Sequence, residues 1–398
     1  MITMLSISPV CPYDSIGHAG GKTFNYYLKK ISQKDCIQIK VLLFGNKEEI
    51  NKCDLAEYKI SFDSILTSGN LNTDIEHFFL DILGRLFFKI PCQQKFSLFK
   101  LKKIIEHLKR LKKSDALPEI IELEWTDFVY YAKYIKQNYP QIKIIASEHD
   151  VTYLGLQRKG LSAKKLARAK KQELEALQNC DAVMTQNIKD KNLLIQDGIP
   201  EDKIHVIVPY YHDMGYIERK KLNHDILFWG AMYRPENYEA AIWFIENVMP
   251  LLEDLDVRFV VAGNRPPEKL KQYASSRVVI TGFVENETPL FESSMCFVSP
   301  LLTGAGIKVK VIEALSAGIP ILTNDIGIEG IPAVNGESYF HCGKPEDYAN
   351  VIRDINAKKI DTDTFAKNQH EVIEKCFDLN SAFEQYMQVL LCLKGKIK

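Results

Sequence analysis

The chain is 398 residues long, 46% hydrophobic, with 51 basic side chains against 51 acidic ones. That length suggests two domains of ordinary size, the hydrophobic share allows real cores, and zero net charge gives no global field favouring nucleic acid. Nine scattered cysteines with no CxxC pair read as reduced, mostly structural thiols and argue against a zinc site.

In chain order, strand "MLSISPV" comes first, and its start lacks the basic residues and long apolar core of a signal peptide. "YDSIGHAGGKTFNYYLKKIS" then puts Gly20 and Gly21 between that strand and a helix, with Lys22 at the helix start. The spacing is neither a P-loop nor a GxGxxG fingerprint, which leaves a plain βα turn or an approach for an anionic ligand. Strand "IQIKVLLF" follows. Between Arg85 and Lys113, ten lysines and arginines then stand against one acid, Glu106, among apolar residues such as Phe87, Phe88, Phe96 and Phe99. Such a segment lies on an anionic membrane surface, or it is an ordinary surface helix with a lysine face. No stretch reaches the roughly 20 apolar residues of a membrane span. The expected location is the cytoplasm, with the inner membrane face as a surface for peripheral contact.

Next come strand "EIIELEW", helix "DFVYYAKYIKQ", strand "IKIIASEHD", a long helix within Ser162–Gln178, strand "DAVMTQ", helix "KDKNLLIQDG" and strand "IHVIVP". Continuous apolar strands are those of a parallel sheet covered on both faces. "SEHD" puts His149 at a strand's carboxyl end, where it can meet a sugar hydroxyl or a phosphate; a lone histidine is as readily structural. A polar break, "HDMGYIERKKLNHD", precedes a second βα series. The expected architecture is α/β, with two Rossmann-like doubly wound parallel-sheet domains facing a central cleft: residues 1–217, carrying the basic segment 85–113, and residues 218–378. A last helix in 379–398, "NSAFEQYMQVLLCLK", is expected to pack back toward the first domain.

In the second series, "FWGAMYRPEN" offers Arg234 for a diphosphate and Asn237 as a cap for the next helix. "PLLTGAGIKVKVIEALSAGIPILTND" is more informative. Gly304 and Gly306 let the backbone turn and approach a ligand closely. Val311, Ile312 and Leu315 form an apolar helix face. Lys308 and Lys310 sit at that helix's mouth, against its dipole. An anion bound by the backbone N–H groups there would compensate both lysines, and Glu313 can accept from a diol such as a ribose edge. The competing reading is a tight turn with two solvated lysines. Asp254/Asp256 and Asp361/Asp363 read as solvated pairs, and no cluster has metal-ligand spacing.

From "DILFWGAMYRPENYEAAIWFIENVMPLL" through "VVITGFVENETPLFESSMCFVSPLLTGAGIKVKVIEALSAGIPILTNDIGIEGI" to "VNGESYFHCGKPEDYANVI", the chain resembles the group-1 retaining glycosyltransferases of GT-B fold. It is most similar to the branch reading Gly-x-Gly-Ile-Lys-x-Lys-x-x-Glu-Ala. The resemblance covers almost all of residues 225–355 and is looser in the first half. It implies a hexosyltransferase that moves a sugar from a nucleotide-diphosphate-sugar to a glycan or lipid-linked acceptor, retains configuration, and needs no metal or other cofactor, in surface polysaccharide or glycoconjugate synthesis. The catalytic group implied is His149, Glu313 and Lys308. Glu313 would hold the donor ribose. The backbone of Gly304, Ala305, Gly306 and Ile307, with Lys308, would hold the diphosphate. Val284 would meet the nucleobase through its main chain, Gly20 and Gly21 would line the diphosphate and acceptor side, and His149 would face the transferred sugar. Two departures stand out: Ala305 occupies the place of the family's first glutamate, and Ala231 follows Gly230 where a diphosphate clamp begins. Arg234, Lys308 and Lys310 are the substitutes at hand. A degenerate transferase-like binding subunit and a nucleotide-sugar epimerase of the same fold are the alternatives.

Overall fold

A computed structural model describes residues 1–69, 71–87 and 96–395. The chain forms two compact units, Met1–Ile16 with Gly20–Pro209 and Leu379–Lys398, and Gly17–Ala19 with Tyr210–Asp378. The first unit is built on a seven-stranded sheet of order β3-β2-β1-β4-β5-β6-β7. Its strands are β1 (Ile2–Ser8), β2 (Ile37–Gly45), β3 (Ser61–Leu66), β4 (Ile120–Glu124), β5 (Lys143–Glu148), β6 (Ala182–Thr185) and β7 (Ile204–Val206). The second carries six strands, β8 (Asp225–Trp229), β9 (Arg258–Ala262), β10 (Val278–Gly282), β11 (Cys296–Ser299), β12 (Ile321–Thr323) and β13 (Phe340–His341), in the order β10-β9-β8-β11-β12-β13. Neighbouring strands pair in parallel. The strand order reverses between β1 and β4 and between β8 and β11, the switch points outside which open α/β sheets bind ligands.

Strand periodicity explains how the first sheet is covered. Leu5 and Ile7 of β1 point into one core cluster, and Ile2 and Met4 into the other, so both faces are buried. Helix Leu379–Leu393 completes the second cluster with Phe383, Tyr386, Met387 and Leu390. The Tyr386 ring stacks on Tyr27 at 5.5 Å, and its hydroxyl donates to the buried Glu122 carboxyl.

Several elements differ from the sequence reading. The stretch "DFVYYAKYIKQ" forms two short helices, Thr126–Val129 and Ala132–Asn138. Strand β3 escaped the pattern because it is an edge strand with little buried surface. Helix Leu98–Lys113, capped by Ser97, buries Phe99, Ile104 and Leu108. The apolar stripe of the basic segment therefore faces the core. The exposed apolar row lies on the preceding helix, Leu71–Phe87, where Ile75, Phe78, Phe79, Ile82 and Leu83 face solvent. Lys89 and Lys95, which the basic segment also includes, lie outside the described residues. Among the described residues no helix is long and apolar enough to cross a membrane.

Candidate functional site

At the carboxyl ends of β8, β9 and β11 the second unit is built from backbone. Gly304 (φ 130°) and Gly306 (φ 70°) adopt conformations that side chains disfavour, and they feed helix Val309–Ser316. That helix buries Val311, Ile312 and Leu315. Gly263 and Gly230 pack backbone to backbone, since a Cβ on Gly263 would stand 1.7 Å from the Gly230 carbonyl oxygen.

The two lysines at the helix mouth have different surroundings. Lys308, the N-cap residue, folds back on its own loop. Its ammonium donates to the Ala305 oxygen at 3.2 Å and to the Gly306 oxygen, and stands 3.8 Å from the buried Glu329 carboxylate. Lys310 is partly buried and donates to Asn237 Oδ1 at 2.5 Å, 4.7 Å from the centre of the Phe228 ring. Gly230 leaves room for it, because a Cβ there would lie 3.3 Å from the ammonium. Among the described residues no carboxylate lies within ion-pair distance of Lys310. Desolvation, with Lys308 and Arg234 nearby, lowers its pKa from 10.5 to about 7 against the weaker pull of Glu236 and Glu313. The reading of two solvated lysines is thus corrected.

Asn237 is not a cap. Pro235 fixes the first turn of helix Pro235–Asn247, Arg234 takes the cap position, and Asn237 sits buried inside the helix, donating to the Ala231 oxygen and accepting from Lys310. Arg234 is half exposed and paired with Glu236. Glu313 is buried, and the His212 backbone N–H donates to it at 3.4 Å. Val284 is half-buried beyond the left-handed Gly282, beside Phe283, which is 72% exposed. The Asp pairs read as solvated have structural partners: Asp254 pairs with Arg353, and Asp361 caps helix Thr362–Cys376.

The first unit shows the opposite charge pattern. Glu122, Glu124, Glu148 and Glu173 are each at most 4% exposed. Glu173 accepts from the N–H groups of Thr152 and Tyr153 at 2.8 and 3.0 Å, and Glu148 accepts from the Thr126 hydroxyl. Glu124 Oε2 lies 3.1 Å from His149 Nε2, and Gln186 Nε2 lies 2.9 Å from His149 Nδ1. Trp125 stacks on the imidazole, centroids 4.1 Å apart and planes within 9°. A cavity of about 30 Å³, lined among others by Thr23, Glu122, Glu124, Gln186 and Tyr386, adjoins His149. Burial pushes Glu124 up from 4.5 to about 8 and His149 down from 6.5 to about 4.

Gly20 and Gly21 belong to the first turn of helix Ala19–Ser32 and not to a loop before it. Gly20 sits at close approach: a Cβ there would lie 3.1 Å from Trp125 and 3.2 Å from His149 Nδ1. The structure thus brings Gly20 and His149 together in one unit, and Arg234, Gly304, Ala305, Gly306, Ile307, Lys308, Lys310 and Glu313 together in the other. Sequence reasoning missed Glu124, Trp125, Gln186 and Glu329. Two glutamates inside the apolar strand "EIIELEW" were the available signal, since buried glutamate is rare without a partner. Among the described residues no three His, Cys, Asp or Glu side chains converge as a metal site requires.

Two unequal parallel-sheet units of this kind define the GT-B fold, and solved structures agree. HepE of Anabaena in complex with UDP and glucose superposes with TM-score 0.69 at 14% identity, covering 98% of this chain and 99% of that one. Sucrose-phosphate synthase of Thermosynechococcus elongatus gives 0.70 at 14%, with 100% of both chains covered. A TarM mutant of S. aureus in complex with fondaparinux, alpha-GlcNAc-glycerol and UDP gives 0.67 at 12%, covering 98% and 100%. Residues 223–357 match the family described as "Glycosyl transferases group 1", so the second unit carries a glycosyltransferase domain. In sequence, the chain is 24% identical over 187 residues to "Uncharacterized 44.6 kDa protein in cps region" of Klebsiella pneumoniae, and the match spans about half of each chain, 44% of this one and 48% of that one.

Proposed function

We propose that this protein is a retaining, metal-independent glycosyltransferase. Its second unit holds a nucleotide-diphosphate-sugar, and its first unit holds a glycan or lipid-linked acceptor. The observation that carries the donor assignment is Lys310, a partly buried ammonium with no carboxylate within ion-pair distance among the described residues, beside the N–H groups of a helix N-terminus and the Gly304–Gly306 turn. A diphosphate supplies the missing negative charge. As the sugar leaves, charge grows on phosphate oxygens, and fixed donors in a water-poor site stabilise it. Lys308 keeps the loop in shape, Arg234 lies near enough to lower the Lys310 pKa, and Glu313 accepts from the ribose. The leaving phosphate takes the acceptor proton. Crystal complexes of HepE and TarM with UDP support UDP as the first nucleotide to try. The cps-region relative supports a polysaccharide as product.

The test is a thermal-shift screen against UDP-, GDP-, ADP- and CMP-sugars, with NAD as a control. A ligand that binds the folded state raises its melting temperature. One nucleotide class should stabilise the wild type and lose most of its effect in Glu313→Ala and Lys310→Met. No shift with any nucleotide-sugar would favour the binding-subunit reading that Ala305 keeps open.

Peripheral contact with an anionic membrane suits a lipid-linked acceptor. It is supported by the row Ile75, Phe78, Phe79, Ile82 and Leu83 next to a helix bearing Lys100, Lys102, Lys103, Lys109 and Arg110. Lys102 and Lys103 both pair with Glu76, which trims that charge. Co-sedimentation with anionic vesicles should fall in Phe78→Ser/Phe79→Ser; equal binding by that variant would count against membrane contact.

A further inference from the structure

In the first unit, Glu124 ends β4, His149 follows the end of β5, and Gln186 follows β6, so three neighbouring parallel strands deliver one side chain each to the same spot. Both imidazole nitrogens are engaged, Nε2 by Glu124 at 3.1 Å and Nδ1 by Gln186 at 2.9 Å. Trp125 covers a face of the ring and is itself held at φ 65°, a conformation that costs a bulky residue about 1–3 kcal/mol. Such local strain persists where the surrounding structure fixes it, and here it aligns the indole with the imidazole.

The two sides of the ring are not equivalent. Nε2 faces a carboxyl group that is 3% exposed. Nδ1 faces Gly20, where the absence of a side chain leaves the nitrogen approachable, and the half-buried Gln186. The Gln186 amide can turn either its N–H or its oxygen to Nδ1, so it accepts either tautomer. Glu124 can also donate or accept, but its choice is constrained by charge: an ionised carboxylate at that depth, beside Glu122 and without a lysine or arginine partner, would be poorly solvated. A Glu124–His149 pair that keeps its proton carries no net charge and leaves the Nδ1 proton in place.

We propose that Glu124 is a positioning residue for His149: it occupies Nε2 and thereby holds Nδ1 as a hydrogen-bond donor, which a ligand oxygen approaching past Gly20 takes over from Gln186. This deepens the transferase reading, in which His149 faces the transferred sugar. When Glu124 loses its proton it accepts from Nε2–H, and Nδ1 becomes an acceptor. The groups facing the pair are Glu122 on the same strand, Glu148 and Asp150 flanking His149, and Tyr27 and Tyr386 from the covering helices. With Glu124 raised to about 8, the exchange falls near that pH.

Long-range ¹H–¹⁵N spectra of the ¹⁵N-histidine-labelled full chain test this without any substrate, with His149→Gln giving the assignment. The wild type should show the Nδ1–H tautomer at pH 7 and change to Nε2–H with a midpoint near 8. The near-isosteric Glu124→Gln should have no such transition. An Nε2–H tautomer in the wild type at pH 7, or the same midpoint in Glu124→Gln, overturns the proposal. UDP-glucose is the probe for the functional arm. Its turnover, read as UDP release, should fall about 10- to 100-fold in kcat for Glu124→Leu with little change in KM, and far less for Glu124→Gln; equal rates in wild type and Glu124→Leu overturn the positioning role. Absence of UDP-glucose turnover in the wild type counts against UDP-glucose as the donor, while the spectra still decide the role of Glu124.

Discussion

The two units bury ionisable groups of opposite kind, acids in the first and a base in the second. Among the described residues, the first buries two acids of β4 without lysine or arginine partners, Glu122 and Glu124, and the second encloses a base with no carboxylate within ion-pair distance, Lys310. Each incurs a desolvation cost that a closed ion pair would reduce. Lys308 and Glu329 show what such a closed arrangement looks like within the second unit. The difference separates residues that shape a site from residues that wait for something to bind there.

The largest effect should come from breaking the closed pair. Lys308→Met takes the ammonium away from the buried Glu329 carboxylate, and should cost about 3–5 kcal/mol of stability in denaturant titrations. Lys308→Met/Glu329→Leu should recover much of that loss; no recovery would mean the lysine acts through its carbonyl contacts. Lys310→Met should do the reverse. It should leave stability unchanged or improved, yet weaken nucleotide-diphosphate binding about 100-fold by calorimetry, within the 2–5 kcal/mol lost when one partner of a desolvated charge pair is truncated. If Lys308→Met hurts binding and spares stability while Lys310→Met does the opposite, the comparison is inverted.

Dependence on pH should distinguish the units more gently. Glu124 rises from 4.5 to about 8 on folding, so its contribution to stability is complete below 4.5 and lost as pH climbs to 8. Lys310 falls from 10.5 to about 7, so its contribution is complete above 10.5 and lost as pH falls toward 7. Unfolding curves of Glu124→Gln and Lys310→Met, each subtracted from wild type, should therefore slope in opposite directions over those windows. Diphosphate binding restores the Lys310 proton, so affinity should decline above pH 7 in wild type and less steeply in Lys310→Met. The smallest effect is steric. Gly20→Ala places a methyl 3.1 Å from Trp125 and 3.2 Å from His149 Nδ1. It should cost about 1 kcal/mol of stability and shift the His149 resonance.

The alternation of the fold was legible because buried parallel strands carry apolar runs, continuous in Phe259–Ala262 of β9 and Cys296–Val298 of β11 and shorter in Ile120–Ile121 of β4 and Ile144–Ala146 of β5. β3 carries no comparable run and was invisible. Lys308 and Lys310 could be located but not told apart, since what distinguishes them is Glu329 for one and Asn237 for the other, both distant in sequence. Gly20 drew attention for a turn it does not make; its reason is the indole and imidazole across from it, which no local pattern reveals. Glu124 was overlooked inside a stretch read only for its hydrophobicity.

The discontinuity of the first unit also bears on how the chain is made. Glu122 accepts from Tyr386, and the Phe383–Leu390 face completes a core that begins at Ile2. A ribosome has released all of Tyr210–Asp378 before that face emerges. The unit synthesised first is thus the one finished last, and until the final helix arrives its half-covered sheet is a surface for chaperones to shield.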